Sequence, residues 1–94
     1  MDSIPELTRA FYFDVERINS ELTAHYPGTK VVFDTVMKKV EIYREDKLIK
    51  EFSFSKDKPE QWPAVMRDFW HYLTEFILEL SLERQRAEIG TDNH

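Results

Sequence analysis

Asp68, His71 and Glu75 stand three and four residues apart in a stretch of helical periodicity, so all three turn toward the same side of one α-helix. Carboxylates beside an imidazole can share a divalent cation or relay a proton. Either use would recruit further ligands, and only His25, in another element, is on offer. The trio therefore reads as a solvated helix face with pairs between successive turns. His25 closes its own helical stretch just before Tyr26-Pro27-Gly28, where the negative end of a helix dipole favours an imidazolium. With no nucleophile recognisable near it, His25 reads as a C-terminal cap and not as a catalytic base.

Composition closes other routes to chemistry. Cysteine is absent, which excludes disulfides, thiol nucleophiles and cysteine metal sites. Glycine occurs only at 28 and 90, so no glycine-rich phosphate loop can be drawn, and neither H-E-x-x-H nor G-x-S-x-G occurs. No catalytic residue, metal ligand or cofactor is assigned, and the chain is expected not to be an enzyme. No run approaches the length of a membrane span, and the first residues (Asp2, Pro5, Glu6) lack the basic and apolar regions of a signal peptide. A soluble, cytoplasmic protein is the expectation.

The largest organising element is the stretch 63–88. Met66, Phe69, Trp70, Leu73, Phe76, Ile77 and Leu80 recur at three- and four-residue steps and form one apolar stripe of a helix. Trp62 and Val65 extend it, Arg84 interrupts it before Ala87, and Gly90 stands where helices commonly stop. Such a helix measures about 39 Å, whereas a compact domain of this length has a diameter of roughly 32 Å. It is therefore expected to overhang its own domain.

A second amphipathic helix is expected at about 4–25. Ser3 and Glu6 fit a capping box at its start, Leu7, Phe11, Val15 or Ile18, and Leu22 line its apolar side, and Tyr26-Pro27-Gly28 ends it. Between the helices the period changes to two, giving strands at about 30–34, 39–44 and 48–55 in an antiparallel meander. A four-residue loop at Thr35–Lys38 pairs Phe33 with Val40 and Val31 with Ile42, and a three-residue loop at Glu45–Lys47 then pairs Val40 with Phe52. This register sends Val31, Phe33, Val40, Ile42, Leu48, Phe52 and Phe54 toward the helices, with Lys50 as a misfit among them. Val32, Tyr43 and Ile49 are left as an apolar island on the outer face.

Pro63 would clash inside a helix begun at Pro59, so a separate turn is expected at Pro59–Trp62. Residues 91–94 read as a disordered tail. The fold class is α+β: a single domain in α-β-β-β-α order, a three-stranded antiparallel meander with both helices packed on one face. The hydrophobic content of 41% suffices for one core and not for two.

The formal charge of −5 is uneven: residues 1–28 carry a net −3, residues 29–58 a net +2 and residues 59–94 a net −4. An acidic long helix can steer a basic partner. Glu75, Glu79 and Glu83 supply that charge, and beside them Leu78 and Leu82 face away from Leu73 and Leu80, next to each other on the surface. Val36 and Met37 at the first hairpin turn, and Tyr43 and Ile49 on the outer sheet face, are further apolar candidates for partner contact. The expected function is that of a small acidic protein-interaction module, an inhibitor, immunity-type or chaperone-like protein that occupies the surface of another, basic protein, and that forms a homodimer through its C-terminal helix.

In the order of its elements the chain resembles the double-stranded RNA-binding domain. The resemblance implies a lysine-rich cluster opening the second helix to grip phosphates. Here that position reads Lys56-Asp57-Lys58-Pro59-Glu60-Gln61-Trp62-Pro63, two lysines against two acids. Since phosphate neutralisation supplies most of the affinity for a duplex, the departure argues against nucleic acid as a partner. Weak nucleic-acid binding through the lysines around the sheet, Lys38, Lys39, Lys56 and Lys58, is the alternative.

Overall fold

Helix α1 (Ser3–His25) leads into strands β1 (Thr29–Asp34), β2 (Lys39–Arg44) and β3 (Lys47–Ser53), then a 3₁₀ turn at Pro59–Gln61 and helix α2 (Trp62–Asp92). A computed structural model describes the backbone of residues 3–92 and the side chains of residues 8–88. The expected capping box of Ser3 and Glu6, and Leu7 of the apolar stripe, lie outside the described side chains. The strands form one antiparallel sheet in the order β1-β2-β3, and both helices cover the same face of it.

Hydrophobic patterning determined the register. Phe33 pairs with Val40, Val31 with Ile42 and Val40 with Phe52, so the inward side chains of adjacent strands stand level. The second hairpin corrects the expected loop: it has two residues, Glu45 and Asp46, and not three. Both take positive φ, 53° and 66°, the mirror-image turn whose twist suits a tight hairpin. A β-bulge next to Tyr43 then absorbs one residue of β3, so that Tyr43 faces Leu48 and Ile42 faces Lys50. A two-residue loop plus a bulge shifts the far end of β3 as a three-residue loop would, which is why the Val40–Phe52 pair is the same. Leu48, expected toward the helices, is instead exposed opposite Tyr43. The strand also ends at Ser53, short of the expected Ser55.

Aromatic rings fill the space between sheet and helices. Phe11 of α1 sits edge-on to Phe33, Phe54, Phe69 and Trp70, with ring centroids 5.3, 5.6, 5.4 and 5.8 Å away. Such edge-to-face pairs add to area burial because a positive ring edge meets a negative ring face. Val15 and Leu22 of α1 and Met66, Leu73, Phe76 and Leu80 of α2 are buried around them.

The two helices run parallel. Phe11 meets Trp70, Ile18 and Ile77 line one slot, and Arg84 donates to the His25 carbonyl, three contacts with the same offset of 59 residues. Arg84, which breaks the apolar stripe, also stacks its guanidinium 4.3 Å over the Tyr26 ring. The interruption in the pattern is thus a contact that ends the core.

At its start α2 is held by Trp62, whose indole Nε1 donates to the Ser55 carbonyl at 2.7 Å. Pro63 falls in the first turn, where its missing N–H is not needed. At its far end α2 passes through Gly90 to Asp92, so Gly90 is not the stop and Thr91 and Asp92 are helical; residues 93–94 lie outside the described residues. A helix of this length spans about 46 Å. Beyond Glu83 and Arg84, Gln85 to Glu88 are all exposed, and the molecule measures 60 × 20 × 19 Å. Among the described residues no helix is long and apolar enough to cross a membrane.

Candidate functional site

The outward side of α2 carries the residues singled out for partner contact. Leu78 and Leu82 are 59% and 40% exposed, on the side of the helix opposite buried Leu73 and Leu80. Next to them Tyr72, Glu75, Phe76, Leu78 and Glu79 line an open groove of about 380 Å³. Helical phase explains the arrangement, since positions 72, 75, 76 and 79 form the flank between the buried stripe and the leucines. That flank turns toward β3, where Tyr72 meets Phe52 with ring centroids 5.9 Å apart.

The acids along α2 do different things. Glu75 is exposed and stands 3.5 Å from His71 Nε2, while Asp68 does not complete a ligand set. No group of three or more His, Cys, Asp or Glu among the described residues could hold a metal ion. Glu79 lies open on the groove. Glu83 is committed elsewhere: Arg44 of β2 holds its carboxylate by two bonds, and that hydrogen bonding keeps its pKa below the ordinary glutamate value. The exposed acids beside the leucines are therefore Glu79 and, next to His71, Glu75.

The other candidates do not join this surface. Val36 and Met37, 75% and 63% exposed, sit at the tip of the first hairpin, where Asp34 Oδ1 accepts from both of their amides at 3.0 Å. On the outer sheet face Tyr43 lies under the Lys30 ammonium, 5.0 Å from the ring centroid, and Ile49 is exposed in the bulged stretch opposite it. Desolvation first, then the neighbouring Glu41 carboxylate, raises the Tyr43 phenol above its ordinary pKa. Lys39 bridges Glu41 and Glu51 at 3.6 Å each, and their charges raise its pKa, Glu41 most. This bridge relieves the direct cross-strand opposition of two glutamates.

Two features escaped the sequence reading. Phe13, 62% exposed, lies on the back of α1 with its ring edge-on to Tyr12 at 5.8 Å; a residue two positions after buried Phe11 points to the opposite side of a helix, so its phase was readable. Lys50 was read as a misfit on the core face, and its ammonium proves to lie 5.4 Å from the Phe52 ring and 5.8 Å from the Tyr72 ring at the exposed edge of β3. His25 closes the last turn of α1, and its backbone carbonyl accepts from Arg84.

Fold and surfaces together define a single α+β domain, two parallel helices over one face of a three-stranded antiparallel meander. No protein-family model, no curated protein and no solved structure matches the chain.

Proposed function

We propose that this protein is a small, acidic, non-enzymatic interaction module that acts by occupying the surface of a basic partner protein, as an inhibitor or chaperone-like protein does. The observation that carries this is the pair Leu78 and Leu82, exposed on the far side of α2 with the exposed carboxylates of Glu75 and Glu79 beside them. Apolar contact supplies affinity at such a patch and the carboxylates supply steering and partner choice. Nucleic-acid binding is less well supported, because Lys39, one of the lysines it needs, is held between Glu41 and Glu51.

The exposed turns of α2 beyond Arg84 favour a second reading, in which α2 also pairs with that of another copy. Affinity capture with three baits tests the primary one: wild type, Leu78→Glu with Leu82→Glu, and Glu75→Lys with Glu79→Lys. The expected result is a basic protein retained by wild type, lost from both variants and weakened by added salt. Equal capture by all three baits would remove α2 as the contact surface.

A further inference from the structure

The two edges of the sheet are finished differently. On β1, Asn19 Oδ1 accepts from the Val31 amide at 2.8 Å, and the Thr23 hydroxyl donates to the Thr29 carbonyl at 3.1 Å, so α1 closes that edge. These bonds also fix the phase of the ladder. Val31 bonds outward, so its partner Ile42 turns its amide and carbonyl to β3, where it meets Lys50. The Phe54 amide, donating to the Lys38 carbonyl at 2.8 Å, keeps the same phase. Glu51 and Ser53 therefore turn their amides and carbonyls to the open side of β3, while Ile49 is the residue that the bulge leaves out of the pairing. Among the described residues no side chain caps them as Asn19 and Thr23 cap β1.

Beside this open edge lies the groove on α2, and Tyr72 joins the two by touching Phe52 of β3 while lining the groove with Glu75, Phe76 and Glu79. A cation already rests on this aromatic lip, since the Lys50 ammonium sits over both rings. We propose that the edge of β3 and the groove form one docking site for an extended, basic segment of a partner protein, which adds to the three-stranded sheet as a further strand. Its main chain would bond Glu51 and Ser53, and its alternate side chains would point to the helix side and bring cations to Glu75 and Glu79.

Lys50 sets the register. It repels a cation placed directly opposite it, so the incoming charges lie past it, at the two glutamates. An inward lysine and a bulge are also what keep an edge strand from pairing indiscriminately. A second copy of β3 fits less well, because joining the sheets edge to edge would bring Glu75 and Glu79 toward their own counterparts.

The proposal rests on reading the acidic flank of α2 as the contact surface, and its test separates the two. A short peptide alternating lysine with valine is titrated into the isotope-labelled full chain and amide exchange is followed residue by residue. Expected are protection of the Glu51 and Ser53 amides, loss of binding when alternate peptide amides are N-methylated, and roughly tenfold weaker binding by Glu75→Lys with Glu79→Lys. Glu51→Pro removes one outward amide, leaves the bonds to β2 whole, and should abolish binding with the fold retained.

No binding, or binding indifferent to N-methylation with the two amides still exchanging freely, overturns the docked strand. If charge reversal still weakens the peptide in that case, the acidic flank stands without the edge. Protection that ignores charge reversal overturns both the basic occupant and the reading beneath it. Protection that grows with chain concentration in the absence of peptide assigns the edge to a second copy and likewise overturns the proposal.

Discussion

The guanidinium of Arg44, the last residue of β2, grips the carboxylate of Glu83 on α2 by two bonds, Nη1 to Oε2 at 3.2 Å and Nη2 to Oε1 at 2.8 Å. The pair joins a central strand to the helix just before its exposed end, and the same hydrogen bonding lowers the Glu83 pKa and raises that of Arg44. A carboxylate whose folded pKa is depressed contributes stability above its unfolded pKa and loses it as pH falls through the folded one. Glu83→Gln should therefore unfold at lower urea concentration than wild type at neutral pH. The gap should close as the pH falls through and below the ordinary value of 4.5. Urea melts across that range check it; a gap that persists in acid would assign Glu83 a packing role and not an electrostatic one.

Phe69 is the side chain on which sheet and helices converge, with no exposed surface and edge contacts to Phe11, Phe52 and Trp70. Its loss would open a cavity bounded by rings that cannot all move inward at once. Phe69→Ala is expected to cost about 3–5 kcal/mol. Phe13→Ala, on the exposed back of α1, should leave the urea midpoint nearly unchanged. Similar losses in the two variants would contradict the core described above.

Glu45 and Asp46 both hold positive φ in the tight β2–β3 turn, a conformation in which a side chain crowds its own backbone. Replacing the pair by Asn-Gly should stabilise the fold by about 1 kcal/mol, since those residues suit this turn type. Gly28, at φ 97°, is the converse position: there the main chain demands glycine, so Gly28→Ala should destabilise. Thermal melts of the two variants should move in opposite directions.

How much of this was legible depended on whether a feature is periodic. The stripe from Met66 to Leu80 and the Val40–Phe52 pairing were readable because burial imposes a repeat of 3.6 or 2 on the sequence. Leu48 was misplaced because a bulge breaks the alternation without leaving a distinctive residue behind. Gly90 misled for a related reason: a glycine inside a helix costs only about 1 kcal/mol, so its presence permits a stop without requiring one. On the candidate surface, Leu78 and Leu82 follow from helical phase alone. The Arg44–Glu83 pair and the open edge of β3 do not, since exposed charges carry no pattern and the free side of a strand is decided by which amide Asn19 reaches.

Leu78 and Leu82 also bear on self-association, and salt separates the two kinds of partner. In an antiparallel pairing of α2 with its copy, Leu78 of one chain meets Leu82 of the other, and Glu79, close to the two-fold axis, comes near its own counterpart. Like charges repel, so such a dimer should tighten as salt is added, whereas contact with a basic protein should weaken. Light scattering across a concentration series is expected to give twice the chain mass of 11.3 kDa for wild type, more completely at high salt. Leu78→Glu with Leu82→Glu should return the mass of one folded chain, with helical content unchanged by circular dichroism. A dimer that survives this double substitution would move the seam off α2. A single-chain mass at every concentration and salt would leave the leucines to the basic partner alone, because four exposed leucines in an interface with a repulsive centre would then have failed to offset the loss of rotational and translational freedom.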